Sequence, residues 1–318
     1  MKSLIESVPN FSEGRDSRTV DALIEAIRAV PGVLVLDHTS DADHNRSVIT
    51  MAGEPETVAE AAIRAVGKAA ELIDLTRHTG AHPRIGATDV LPFIPIEGFS
   101  MEECVALAWR AGREIWTRYR IPVYFYEAAA IRPERARLEK VREGGFEGLR
   151  DQVLQNPSRA PDIGGPGLHP TAGAIAIAAR KFLIAYNINL DTRDVRIAME
   201  IARAIRHSSG GLPYVKAMAV NLETRGLTQV SMNLTNFEQT PLHRVFEDVS
   251  REAQRRGCAI VGSEIVGLIP QKAIDLAPEF YRQLETFNPA VVLENRLAAA
   301  MEAAPSQQPG QGKLWVAP

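Results

Sequence analysis

The order of apolar patterns over residues 182–265 constrains this chain more than any other feature of it. FLIAYNINL (182–190) reads as a strand, and residues 192–206 carry Val195, Ala198, Met199, Ala202 and Ile205 at helical spacing. Residues 214–223 and 227–235 read as two strands joined by a turn at Thr224-Arg225-Gly226. In the second of them Val230, Met232 and Leu234 alternate with Gln229, Ser231 and Asn233, the period of a strand buried on one face. Thr240 and Pro241 suit the N-cap and first position of a helix whose apolar face is Leu242, Val245, Phe246, Val249 and Ala253. CAIVGSEIVG (258–267) is a last strand. The succession β-α-β-β-α-β is the split βαβ, or ferredoxin-like, arrangement.

The first half reads in the same order with an added helix and strand. A helix places Val20, Leu23, Ile24, Ile27 and Val30 on one face and ends at Pro31-Gly32. Strands follow at 33–37 and 47–52, then a long helix at about 56–73. TDVLPFIPI (88–96) is strand-like, but Pro92 and Pro95 confine it to an edge or a strand end. A helix at about 101–118 and a strand at 122–127 complete the half. Between the halves, residues 132–180 open with Arg132, Arg135, Arg137, Lys140 and Arg142, read as a solvated helix face or as a stretch that meets a polyanionic tail, and continue into a Gly/Pro-rich run at 160–173. A helical tail at 289–302 precedes a stretch, 303–318, without periodicity, expected to be a mobile end.

Charge and cysteine content exclude several roles. With 36 basic and 39 acidic residues the net charge is −3, so no global basic field points to nucleic acid, and an anionic ligand must be met by a local arginine cluster. Two isolated cysteines, Cys104 and Cys258, make neither a disulfide framework nor a four-cysteine zinc site and read as core residues. The opening MKSLIES is too polar for a signal peptide, and no apolar run approaches the roughly 20 residues of a membrane span. A cytoplasmic protein without a membrane anchor is therefore expected.

The richest chemical cluster is RHTGAHPRIGATD (77–89). Its two histidines at i and i+4 mimic a helical zinc pair, yet Gly80 and Pro83 break a helix there and no acidic residue lies between them. It reads either as a loop whose side chains bond carbonyls or as an active-site loop pairing an imidazole with guanidiniums, able to bind a carboxylate and move a proton. A second polar cluster, DHTSDADHNR (37–46), follows a strand and reads as a turn or a metal-like group. VPNFSEG (8–14) also opens from a strand end, where α/β proteins place ligands. The run 164–173 lacks the context of a phosphate loop but gives a backbone wall able to approach a flat ligand.

The segments VPNFSEGR (8–15), RHTGAHPRIGATDVLPFIPI (77–96), PVYFYE (122–127), ARKFLIAYNINL (179–190), QVSMNLTNFE (229–238) and VGSEIVGLIP (261–270) resemble the formiminotransferase family. The resemblance covers about residues 2–300. It implies an α+β fold of two ferredoxin-like subdomains, 1–178 and 179–302, with a folate tunnel between them, and a homodimer. It implies transfer of a formimino group from N-formiminoglutamate to tetrahydrofolate as co-substrate, with no metal. A chain of this length is expected to leave the product to a separate cyclodeaminase. The family's H-P-R-x-G motif falls on His82-Pro83-Arg84-Ile85-Gly86, which assigns catalysis to His82 rather than His78. Its folate-binding stretch falls on Ile163, Gly164, Gly165, Pro166, Gly167, Leu168, His169, Pro170, Thr171 and Ala172.

For this chemistry the residues offer a consistent set. An imidazole of pKa about 6.5 takes a proton from the attacking nitrogen and returns one to the leaving nitrogen. Arg46, Arg77 and Arg84 are candidate forks for substrate carboxylates, Asn10 a candidate hydrogen-bond partner and Asp37 a candidate to orient an imidazole or take a pterin N–H. The alternatives on the same scaffold are a formyl transfer linked to 5-formyltetrahydrofolate, a folate-binding protein without turnover, and a metal-dependent hydrolase.

Overall fold

Two sheets carry the computed structural model, which describes residues 3–284 and 288–303; the end expected to be mobile lies, from residue 304 on, outside the described residues. The first seven strands are β1 (Leu4–Ser7), β2 (Asn10–Phe11), β3 (Leu34–Asp41), β4 (Arg46–Gly53), β5 (Thr88–Glu97), β6 (Val123–Glu127) and β7 (Ile175–Ala179). They form one sheet in which β3 pairs with β4, β1 and β2 both lie between β4 and β5, and β7 separates β5 from β6. The β5–β7 and β6–β7 pairs are parallel.

Helices α1 (Ser17–Arg28), α2 (Pro55–Leu72) and α3 (Met101–Tyr119) cover one face of this sheet. Their apolar stripes, including Leu23, Ile27, Val58, Val66, Leu107 and Ile115, pack on Ile5, Phe11, Met51, Phe93, Phe125 and Ile177. Ser100 and Glu103 close a capping box that starts α3. On the opposite face, the short helices α4 (Leu138–Val141) and α5 (Gly145–Gln152) cover only β5, β7 and β6 through Val141 and Leu149. The rest of that face is left for the second half.

The second half contains β8 (Ile184–Leu190), α6 (Val195–Ile205), β9 (Val215–Leu222), β10 (Leu227–Leu234), α7 (Leu242–Arg255) and β11 (Ile260–Val266), in the succession read from the sequence. Its strands lie in the order β11-β8-β10-β9, every pair antiparallel. Tyr186, Ile188, Val230 and Met232 pack with α6 and α7, as their alternation required. The alternate residues make a polar face: Gln229 Nε2 donates to Asn189 Oδ1 (2.9 Å) and Glu264 Oε1 (3.2 Å), and Asn187 Nδ2 to Glu264 (3.1 Å). Short helices α8 (Gln271–Asp275) and α9 (Pro278–Gln283) lead to α10 (Leu293–Ala303), which returns to β3 of the first sheet.

The halves are joined at several points. Arg225 and Thr224, in the β9–β10 turn, bind Asp41 (3.1 Å) and Asp43 (2.7 Å) at the β3–β4 turn. Lys216 on β9 binds Glu127 (3.1 Å) and Glu139 (3.3 Å). Leu293 of α10 is buried with Leu36 and Ala52.

Three expectations are corrected. β5 is a central strand, not an edge, because its prolines fall where the ladder has no use for their missing N–H. Pro92 faces the break between β1 and β2, its carbonyl taking the Ser7 hydroxyl (2.8 Å), and Pro95 lies beyond the last β7 partner, Phe93. The stretch 132–180 is not only a connection, since it supplies β7 to the middle of the sheet. Thr240 does not cap α7: the helix starts at Leu242 after Pro241, and the Thr240 hydroxyl donates to the Pro213 carbonyl (2.6 Å).

Candidate active site

Three loops meet beside β2, β4 and β5. Asn45, at φ 48°, occupies the left-handed region that Asn tolerates better than most residues. Its Oδ1 accepts the Gly14 N–H (2.9 Å) and its Nδ2 donates to the Thr79 carbonyl (2.9 Å). Ser12 Oγ donates to the Gly86 carbonyl (2.7 Å). At Gly80 a Cβ would lie 2.4 Å from the His44 carbonyl oxygen, so the chains touch there as only glycine allows. The segments 12–15, 41–46 and 78–87 are thereby held together.

Within this frame lies a compact charge cluster. Asp89, fully buried on β5, accepts from Arg46 Nη1 at Oδ2 (2.7 Å), from Arg142 Nη2 at the same oxygen, and from the Ile85 N–H at Oδ1 (2.9 Å). Burial alone would raise this carboxyl, but Arg142 and Arg46 outweigh it and bring it down to about 2. Asn10 Oδ1 accepts Arg46 Nε (3.0 Å). The trio of one carboxylate and two guanidiniums carries a net positive charge.

His82 stands against it, half-buried, with Arg46 Nη1 3.2 Å from its Nδ1. The same Nδ1 lies 2.8 Å from the Pro83 carbonyl oxygen. The Pro83 carbonyl only accepts and the Arg46 guanidinium only donates, so the two compete for Nδ1. The Pro83 contact is the shorter, and Arg46 Nη1 is already committed to Asp89 (2.7 Å), which favours the neutral tautomer with its hydrogen on Nδ1 and Nε2 as the basic site. Burial, and then the Arg46 and Arg142 charges, hold the imidazole well below its usual range. The His44 ring lies 5.9 Å from that of His82, and His44 Nε2 is buried without a hydrogen-bond partner.

The other predicted residues separate into distinct places. His78 is a fastening: its Nδ1 accepts Arg84 Nε (2.9 Å), which leaves the hydrogen on Nε2 for the Asn45 carbonyl (3.0 Å). Arg84 also grips Glu147 with two nitrogens (2.9 and 2.7 Å) and the His78 carbonyl (3.0 Å), so its fork is already filled by the protein. That hydrogen bonding brings Glu147 down to about 2. Arg77 is exposed beside Asp74 (3.7 Å), and Asp37 meets Arg296 of α10 (3.4 Å); neither joins the His82 cluster. Arg46 and Asn10 do.

The 163–172 stretch lies behind the His82 loop. Ile163 bridges to Val123, and Gly164, at φ +88°, lies so close to the Trp116 ring that a Cβ would approach it to 2.6 Å. The Thr171 carbonyl accepts from Leu75 and the Ala172 carbonyl from Ala87, both at 2.9 Å, while His169 Nδ1 accepts the Ala172 N–H (3.0 Å). Gly173 and Ala174 then run against Ile85 and Gly86, so this stretch and the His82 loop share one backbone seam.

Sequence reasoning missed Arg142, taken for part of a solvated helix face. It reaches Asp89 with only 13% of its side chain exposed, and its neighbour in that stretch Arg135 is buried against Asp162 (2.6 Å). No local signal marks either, because each partner comes from a distant segment. Among the described residues no group of three or more His, Cys, Asp or Glu could hold a metal ion, and no helix is long and apolar enough to cross a membrane.

Two family models match this chain: the formiminotransferase domain, N-terminal subdomain, over residues 4–180, and the formiminotransferase domain over 185–301. The chain belongs to the formiminotransferase family. A glutamate formimidoyltransferase of Streptococcus pyogenes serotype M1 is 46% identical over 93% of this chain and 99% of its own length. One from Thermoplasma acidophilum is 44% identical over 94% of this chain and its whole length. The formimidoyltransferase-cyclodeaminase of Mus musculus is 44% identical over 88% of this chain but only 53% of its own.

Proposed function

We propose that this formiminotransferase moves the formimino group of N-formimino-L-glutamate to N5 of tetrahydrofolate, giving 5-formiminotetrahydrofolate and glutamate. The observation that carries the reading is the His82 imidazole standing beside two guanidiniums that share one carboxylate. The surplus positive charge calls for an anion, and the donor brings carboxylates; Arg46 and Arg142 are its receivers. N5 attacks the formimino carbon and becomes positive, and His82 Nε2 takes its proton. As the tetrahedral carbon expels the glutamate nitrogen, the imidazolium returns the proton to it, so the ring ends each cycle as it began. A carboxylate seated on the arginines offsets the charges that depress His82, so the base strengthens when the donor arrives.

In this reading the chain is two subdomains, 1–178 and 179–302, with the ligands between them, and residues 163–172 contact the folate. It works as a cytoplasmic homodimer, and a cyclodeaminase consumes its product. The test is a steady-state assay with formiminoglutamate, with and without tetrahydrofolate. Both products should appear only when folate is present. Glutamate release without folate would replace the transferase by a hydrolase.

A further inference from the structure

Glu6 is a buried acid that the chemistry above does not use. It lies on β1 with Ala52 and Ile94 as its cross-strand partners, so it projects from the face left open by α1–α3. Only 4% of it is exposed, and its carboxyl makes no hydrogen bond or ion pair among the described residues. Its oxygens are nevertheless not among the sealed unpartnered atoms, so they border open space. Burying a carboxyl without a partner costs stability and gives folding nothing in return.

Two charged groups face it. Arg180 leaves β7 by donating its backbone N–H to the Phe93 carbonyl (3.1 Å), one position from the Glu6 row, and uses Nη1 on the Lys181 carbonyl (2.9 Å). Glu294 on α10 accepts the Gln271 N–H (2.8 Å). Burial, opposed by Arg180 and aided by Glu294, pushes the Glu6 carboxyl up to about 7. Acceptor oxygens next to a guanidinium make an edge that reads acceptor, acceptor, donor.

The position matters as much as the chemistry. Asn10, which holds Arg46, pairs with Val48 and Val90, four positions from Ala52 and Ile94 on the same two strands and on the same face. Four residues of strand span about 13 Å. A hydrogen bond of about 3 Å at each end leaves about 7 Å, the width of a fused two-ring heterocycle.

We infer that Glu6, with Arg180 beside it, anchors the 2-amino-4-oxopyrimidine edge of the folate, placing N5 toward His82. The ring's N3–H and 2-amino group donate to the Glu6 oxygens, and Arg180 donates to its 4-oxo group. This inference rests on the transferase reading and names the residue that would orient its acceptor.

The test is calorimetric titration of the full chain with tetrahydrofolate and with an analogue lacking the 2-amino group. Wild type should bind tetrahydrofolate about tenfold or more tighter than the analogue, as loss of a donor to a buried carboxylate demands. Glu6→Gln should erase most of that preference while its Kd for formiminoglutamate changes less than about threefold. A Glu6→Gln protein that discriminates as well as wild type overturns the assignment. So does a wild type indifferent to the 2-amino group, a result independent of how the variant folds. If wild type binds no tetrahydrofolate at all, the transferase reading fails and this inference falls with it.

Discussion

Asp89→Asn is the perturbation whose size follows most directly from the structure. The carboxylate is fully buried and accepts from Arg46, Arg142 and the Ile85 backbone, so it neutralises one of two guanidiniums and ties down the His82 loop. Asparagine keeps the shape but leaves both charges without a counter-ion. Removing one member of a buried pair costs about 3–5 kcal/mol. Lowering the carboxyl from 3.8 to about 2 gives an independent figure; at 1.36 kcal/mol per pH unit it amounts to about 2 kcal/mol. The two figures bracket a loss of about 2–5 kcal/mol, or a melting shift of about 3–8 °C for a protein of this size. Because the folded pKa is depressed, this contribution is present above pH 3.8 and lost as pH falls toward 2. Urea unfolding of wild type and variant at pH 7, and again near pH 3, measures both the gap and its narrowing. A variant that melts within about 1 °C of wild type at pH 7 would refute the claim that Asp89 neutralises the two arginines.

Glu6→Gln should behave in the opposite sense. The native acid is raised from 4.5 to about 7, so wild type loses stability as pH rises through that interval; the variant should gain up to about 3 kcal/mol at pH 8 and nothing at pH 4, read by denaturant melts at both. A variant no more stable at pH 8 would mean that Glu6 ionises freely. Since burial and two arginines depress His82, the acid limb of kcat/KM should lie below pH 6.5 and vanish in His82→Gln, with the loss on the order of 10²–10⁴-fold. Arg84→Ala should lower the melting temperature and kcat while leaving KM for formiminoglutamate within about threefold, because the Arg84 fork is filled by Glu147 and His78. A KM rising much further would place Arg84 on the substrate.

The division between what is legible in the chain and what is not follows the range of the interactions. Helix and strand patterns repeat every few residues, so the succession of β8 to β11 and the helices between them could be read from spacing alone. The imidazole loop at 77–86 was equally visible, because its histidines, arginines and glycines lie together in the chain. What remained hidden depends on partners far away along it. Arg142 meets Asp89 from 53 positions off, and Arg84 meets Glu147 across 63, so one apparent surface arginine became part of the site and one apparent substrate fork became a clasp. β5 could stand at the centre of its sheet only because a gap between β1 and β2 falls opposite Pro92, which no local pattern announces. The sequence by itself determined the order of elements and the chemistry available. Only the tertiary structure decided which charges are buried together, and that burial is what sets His82, Asp89 and Glu6 apart from ordinary residues of their kinds.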